Sequence, residues 1–361
     1  MLDNAQQAAA HVSSDELAIF CDRRWPAGTG IGVVMQELES RRPAFATIVD
    51  LDVKLKLGSP WSPAALSASL LRKSRGRKGI FVNMGFIPPL VSRQPKVVIV
   101  HDLMHRHYYG RLKRLYYDLF LKSLYKGCRV VCVSEYVRRE FLEWSGIAPD
   151  RIHVVHNGCT PMGKLDEGPR LFPFPYLLYP GNRRQYKNLR NLLVAYSASR
   201  LPGEGVRLVL TGHPDAMTQR HATDLGIEES VIFCGLLEPA QLASAYQGAL
   251  AVTFVSLCEG FGLPIVESMS AGTPVLTSNV TAMPETSGGA ALLVDPFSVA
   301  AIREGLERIV FDHRLRANLI EAGHMRAKHF EWDRSARQFW NIVVDEFTTF
   351  WRDWRKRSDD P

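Results

Sequence analysis

No apolar run in these 361 residues approaches the roughly 18 that a membrane-spanning helix needs. The start, Met1-Leu-Asp-Asn-Ala-Gln-Gln, lacks the basic residues and apolar stretch of a secretion leader, which predicts a soluble, cytoplasmic protein. Cysteine is sparse: Cys21, Cys128, Cys132, Cys159, Cys234 and Cys258 are scattered among Val, Phe and Leu, as buried reduced thiols are and disulfide frameworks are not. Low-complexity tracts and short repeats are missing. Gly-x-Ser-x-Gly and His-Glu-x-x-His are missing too, so serine hydrolase and zinc protease chemistry lack support. What is present, 46% hydrophobic and 22% charged residues, excludes disorder and fibre, and the length predicts two domains.

The net charge of +7 is unevenly placed. Residues 1–170 hold 25 Lys and Arg against 16 Asp and Glu, and the remainder 19 against 21. A basic first half points to an anionic partner: a membrane surface, a lipid phosphate or a nucleic acid. Its densest stretches are Arg72-Lys-Ser-Arg-Gly-Arg-Lys78 and Arg106-His-Tyr-Tyr-Gly-Arg111-Leu-Lys-Arg114-Leu-Tyr-Tyr117. Cations mixed with aromatics suit an anionic bilayer interface or single-stranded nucleic acid. The competing expectation is that Leu112, Leu115, Tyr116 and Leu119 bury in the first domain and leave the cations solvated.

Short β-branched runs recur along the chain, most of them continuous rather than alternating, each followed by a helical stretch. In the first half they are 17–22, 45–52, 79–85, 96–102, 129–134 and 152–157; in the second, 176–182, 206–212, 231–235, 250–256, 273–279 and 291–295. Such runs predict parallel strands covered on both faces, hence α/β architecture with two doubly wound Rossmann-like domains facing a cleft. The expected domains are 1–168 and 169–330, joined by a Pro/Gly-rich linker at 163–175, with a helical segment 331–361 crossing back on the first. Its apolar stripe is Trp340, Val343, Val344, Phe347, Trp351 and Trp354.

In such sheets, ligands sit beyond the carboxyl ends of strands. The strongest candidate is Ser256-Leu-Cys-Glu259-Gly-Phe-Gly-Leu-Pro-Ile-Val-Glu267. Gly260 and Gly262 permit close backbone approach, and a helix start after them attracts an anion. Glu259 and Glu267 are good acceptors for sugar and ribose hydroxyls. Glu267 could instead only favour the helix dipole.

This stretch resembles the Glu-x7-Glu signature of retaining glycosyltransferases of family 4, which have two Rossmann-like domains (the GT-B fold). Tyr179-Pro-Gly-Asn-Arg183-Arg-Gln-Tyr-Lys187-Asn-Leu is similar to the family segment that supplies an Arg and a Lys to the donor diphosphate. Gly30-Ile-Gly32 resembles its glycine loop, His101-Asp102 its His-Asp strand end, and Ser134 and Asn157-Gly158 also fit. The resemblance implies His101, Arg183, Lys187 and Glu259 as catalytic residues. It implies Gly30, Gly32, Asn182, Gly260, Phe261, Gly262, Leu263 and Glu267 as donor-binding. Gly32 is followed by Val33-Val34, where the family often has an aromatic or polar residue. Arg183 and Arg184 compete for the same role, and alternation along an extended segment would separate them.

The implied reaction is transfer of a hexose with retention, the donor phosphate taking the acceptor's proton. Mannose from GDP-mannose leads, since 179–189 most resembles mannosyltransferases of bacterial surface-polysaccharide assembly. UDP-sugar transfer and an inactive nucleotide-sugar-binding subunit are the alternatives. The acceptor would be a glycan or a lipid-linked glycan, met in the cytoplasm or at the inner face of the plasma membrane. No nucleic-acid partner, no metal and no cofactor are expected: fixed cations and amides would carry the departing charge. Asp50-Leu-Asp52 reads as a strand end rather than a metal triplet. His101, Asp102, His105 and His107 are not spaced for one metal, and Gly158–Lys164 lacks the Ser or Thr of a P-loop.

Overall fold

The computed structural model describes residues 17–26, 28–162 and 171–359. The chain forms two compact units, 1–157 with 332–361, and 158–331. Among the described residues, each holds one six-stranded, wholly parallel sheet. Every hydrophobic run named above overlaps one of the strands.

In the first unit the strands are β1 (Leu17–Cys21), β2 (Ala46–Asp50), β3 (Gly79–Asn83), β4 (Lys96–Val100), β5 (Cys128–Cys132) and β6 (Ile152–Val154), ordered 2-1-3-4-5-6. β1 and β3 are buried at every residue, which is why they read as unbroken apolar runs. Helix α1 (Gly30–Ser40) follows β1 and α2 (Ser62–Lys73) follows β2. Helix α3 (Glu135–Ser145) starts on the Ser134 side chain, which accepts the Val137 N–H, and stops at Gly146 with φ +65°.

In the second unit the strands are β7 (Tyr176–Tyr179), β8 (Arg207–Leu210), β9 (Val231–Phe233), β10 (Ala251–Phe254), β11 (Val275–Ser278) and β12 (Leu292–Val294), ordered 12-11-10-7-8-9. The helices that position the site are α4 (Leu189–Ser197), α5 (Pro239–Gly248) and α6 (Leu263–Ser270). The strand order reverses between β7 and β10, so the loops leaving their carboxyl ends open side by side, where open α/β sheets bind ligands.

The first boundary falls after 157 rather than at 168, because the residues that follow are bonded into the second unit. Cys159 donates its N–H to Phe330 O at 2.8 Å, and Met162 donates to Ser270 Oγ at 3.1 Å. Of the expected linker, residues 163–170 lie outside the described residues. The last helix, α7 (Trp332–Asp359), belongs to the first unit. Trp332, Ala336, Phe339, Trp340 and Val343 are buried, and two indole N–H groups reach backbone oxygens, Trp340 to Leu38 at 2.9 Å and Trp351 to Gly79 at 3.2 Å. Its stripe differs from the expected one in two places. Trp354 is 49% exposed, and Glu346 is buried, its carboxylate held by Arg129 (2.9 Å) and Arg151 (2.8 Å). All six cysteines are free, and among the described residues no helix is long and apolar enough to cross a membrane.

Candidate active site

In the second unit, a glycine-bearing turn between β10 and α6 carries Glu259. Gly262 caps α6 with φ +91°, where a side chain is disfavoured and a Cβ would come within 3.0 Å of Ile265 Cδ1. Pro264 then occupies the second helical position, where no N–H is required. The Phe261 side chain is buried edge-on against Phe330 at 5.3 Å, so toward a ligand this residue has only its backbone. Thr281, which the sequence did not single out, accepts the Glu259 N–H at 3.2 Å.

The loop after β7 is tied to this turn. Leu257 donates its N–H to Tyr186 O at 2.7 Å, and the Asn188 amide spans Val255 O (3.0 Å) and Pro296 O (2.8 Å). Asn188 adopts φ +60°, a conformation Asn tolerates, so it both turns the chain into α4 and pins the loop. The outcome is that Lys187 Nζ lies 2.7 Å from Glu259 Oε1, with about one-tenth of each side chain exposed. Phe254 and Tyr186 present ring faces to the same ammonium at 4.7 and 5.4 Å.

Glu267 sits one turn into α6 and accepts the Tyr246 hydroxyl at 2.6 Å. Burial pushes its carboxyl above the usual range, opposed by that hydrogen bond and by the Lys187 charge. Lys187 thus stands in the field of both carboxylates, although it precedes the nearer one by 72 residues. Tyr246 was not foreseen, because a buried tyrosine on α5 reads as core until its partner is known.

The two arginines separate. Arg183 turns its fork onto the loop after β8, donating to His213 O (2.7 Å), Thr211 O (2.9 Å) and Gly212 O (3.3 Å), beside Asp215 and over the Phe233 ring. Arg183 is therefore a clamp on its own unit in this structure, whereas the Arg184 guanidinium is exposed and, among the described residues, makes no side-chain contact of that kind. Asn182 is exposed and accepts the Arg184 N–H at 3.2 Å. Gly260 and Leu263 complete the turn.

In the first unit, Thr29 caps α1 and its hydroxyl accepts the Gly32 N–H at 3.1 Å. A Cβ at Gly32 would lie 1.9 Å from Pro26 O, so that glycine is required by its own turn and its amide is already used. Gly30 is exposed, and a Cβ there would meet open space. His101, at the end of β4, meets Met84 O through Nε2 at 2.6 Å. Since a carbonyl only accepts, Nε2 carries the proton. Burial pushes the imidazole from 6.5 down to about 4, so the ring is neutral and Nδ1 is an acceptor suited to a hydroxyl.

That shift has a sign. The unfolded chain takes up a proton near its ordinary pKa while the folded chain does not, so stability falls as pH drops from 6.5 toward 4. By roughly pH 5 the loss from this one group is about 2 kcal/mol. In urea unfolding at neutral and mildly acid pH, wild type should lose that much more than His101→Gln; equal losses in both proteins would remove the argument.

Asp52 pairs with Lys73 and Asp50 accepts the Asp52 N–H. His105 is buried on Tyr117 while His107 pairs with Glu140, so the two diverge. Among the described residues no group of three or more His, Cys, Asp or Glu is placed to hold a metal.

Comparison with known proteins fits this geometry. Residues 172–326 match the profile "Glycosyl transferases group 1", and residues 60–162 match "Glycosyltransferase Family 4". Each unit thus matches a glycosyltransferase family model. The chain is 32% identical over 234 residues to O-antigen chain mannosyltransferase B of Escherichia coli, covering 60% of each. It is 27% identical over 276 residues to the serotype-specific mannosyltransferase WbdA of the same organism, covering 70% of this chain and 33% of that one. The chain thus spans about three-fifths and one-third of the length of these relatives. Its fold is that of WaaG, a glycosyltransferase involved in lipopolysaccharide biosynthesis, with a TM-score of 0.73 at 17% identity over 91% of this chain and 99% of that one. Anabaena HepE, solved with UDP-glucose, gives 0.70 at 16% identity over 92% and 99%.

Proposed function

We propose that this chain is a retaining hexosyltransferase that takes mannose from GDP-mannose and passes it to a growing glycan, lipid-linked, in surface-polysaccharide or lipopolysaccharide assembly. The observation that carries the reading is the meeting of Lys187, Glu259 and Glu267 at the strand-order reversal of the second unit. When the glycosidic bond of a nucleotide sugar breaks, negative charge grows on the departing diphosphate. A fixed ammonium in a partly desolvated pocket lowers that barrier. Lys187 is this cation, and the diphosphate replaces Glu259 as its partner. Glu259, so released, accepts hydroxyls of the transferred sugar, and Glu267 those of the ribose. A donor phosphate oxygen takes the acceptor's proton as the new bond forms, which preserves the anomeric configuration. In the first unit, His101 Nδ1 offers an acceptor for a hydroxyl. No divalent ion has a role in this scheme.

The names of the E. coli relatives favour mannose, while HepE with its UDP-glucose favours a UDP-sugar as the second reading. A thermal-shift panel of GDP-mannose, UDP-glucose and ADP-glucose in the presence of a chelator separates them. A donor at a hundred times its Kd should add about 2.7 kcal/mol of stability. GDP-mannose should give the largest shift. No shift with any sugar nucleotide, or one that needs magnesium or manganese, would overturn the proposal.

A further inference from the structure

We propose that Tyr246 is a positioning residue for the nucleoside end of the donor: its hydroxyl occupies one oxygen of the Glu267 carboxylate and leaves the other as the acceptor for a ribose hydroxyl. The inference rests on the assignment of Glu267 to the ribose made above. Tyr246, on α5, donates to Glu267 Oε2 at 2.6 Å, and among the described residues no other group donates to that carboxylate. The Lys187 ammonium acts on it from farther away, being bonded to Glu259. Glu267 is half-buried, so part of it stays open to a ligand.

The hydroxyl is not there for packing. Tyr246 lies among Tyr176, Leu178, Val209, Ala245 and Val252, a cluster that would accept phenylalanine. A hydroxyl carried into such surroundings costs free energy unless it is bonded. Three other buried tyrosines of this unit give theirs to backbone carbonyls: Tyr176 to Ala245, Tyr179 to Asn182 and Tyr196 to Val206. Tyr246 gives its own to a carboxylate at the site. Its place is fixed as well. Thr273 donates its hydroxyl to Tyr246 O at 2.7 Å and its N–H to Ser268 O at 2.9 Å, while the Ser268 hydroxyl returns to Thr273 O at 2.9 Å. Thr273 thus ties α5 to the residue after Glu267, which holds donor and acceptor in register.

A carboxylate accepts a hydroxyl most strongly when ionised. Burial works against ionisation of Glu267, while the Tyr246 hydrogen bond and then the Lys187 charge work for it. Burial and that same carboxylate push the Tyr246 phenol well above its ordinary range, with the Cys159 thiol adding to the effect, so Tyr246 stays protonated and donates. Glu267 is the one titratable residue of α6, and β10 and β11 bring none. Of the neighbours, Glu259 is paired with Lys187, and Arg326 of the helix His313–Ala327 is held by the carbonyls of Glu285 and Thr286. His324 lies against Gly272, beyond the end of α6.

Titration calorimetry with GDP-mannose and with UDP-glucose at several pH values tests this. Each is a diphosphate diester that takes up no proton near neutrality, so a pH dependence belongs to the protein. Tyr246→Phe removes what opposes burial, and Glu267 should then protonate at higher pH than in wild type. A hydrogen bond to a charged group is worth roughly tenfold or more. Between about pH 8.5 and about pH 6 the affinity of Tyr246→Phe should therefore fall roughly tenfold, while wild type stays nearly level and the two converge at the alkaline end. Glu267→Gln should bind weakly at every pH, and Tyr246→Phe/Glu267→Gln no more weakly, since Tyr246 acts through the carboxylate. These two variants bury no charge at 267, so their comparison decides the matter even if Tyr246→Phe alone melts far below wild type. Coincident pH curves for wild type and Tyr246→Phe, a loss in Tyr246→Phe that is equal at all pH, or a further loss in the double variant would overturn the inference and leave the donor reading standing. Failure of wild type to bind either sugar nucleotide would remove the donor reading, and this inference with it.

Discussion

Lys187→Met should abolish transfer and, by itself, destabilise the protein, whereas Lys187→Met/Glu259→Gln should recover the stability without the activity. The Lys187–Glu259 pair is nearly shielded from water. Removing one member leaves a carboxylate with its desolvation cost and no counter-charge, worth about 3 kcal/mol. Neutralising both removes the unpaired charge and leaves a neutral amide beside a thioether. Turnover responds differently, because the ammonium is assigned to the departing diphosphate, and loss of such a charge costs on the order of a hundred- to a thousandfold. Urea unfolding and donor turnover of wild type, the single and the double variant make the comparison. A double variant that regains both properties would show the pair to be structural. A single variant with near-normal turnover would remove Lys187 from the chemistry. Arg183→Ala should also lower turnover, through the loop 211–213 that it clamps, and so leave room for partial rescue by Lys, which Lys187→Met does not.

Glu346→Ala should be among the most destabilising single changes in the first unit. Its carboxylate is 4% exposed and is shared by Arg129, on β5, and Arg151, just before β6. Without it two guanidinium groups remain close together, with only the exposed Asp345 carboxylate beside Arg129 at 3.0 Å. The expected cost is about 3–5 kcal/mol. Arg151→Met should cost much less, since Arg129 keeps the carboxylate paired. Equilibrium unfolding distinguishes the two, and a Glu346→Ala protein within about 0.5 kcal/mol of wild type would show the network to be incidental.

The sheets were legible in the sequence because strands covered on both faces must be apolar at nearly every position, as Leu17–Cys21 and Gly79–Asn83 are. The loops at their carboxyl ends followed from the same logic. Side-chain direction did not. Arg183 and Arg184 are chemically identical, and only the carbonyls of Thr211, Gly212 and His213 decide which is held. Glu346 occupies a core position of an amphipathic helix, and nothing local reveals two arginines waiting across the interface. Leu112, Leu115 and Leu119 have helical spacing that fits a buried stripe as well as an exposed one, so their exposure had to be seen.

The bond between Cys159 and Phe330 has a consequence for how this chain can be handled. It places the two ends of the segment 158–331 shoulder to shoulder, as Cys159 and Glu331 also pair in a parallel bridge. A stretch that begins and finishes at one spot is topologically an insertion. It can be excised as a self-contained fragment, and its own termini can be joined and reopened elsewhere without rethreading the sheet.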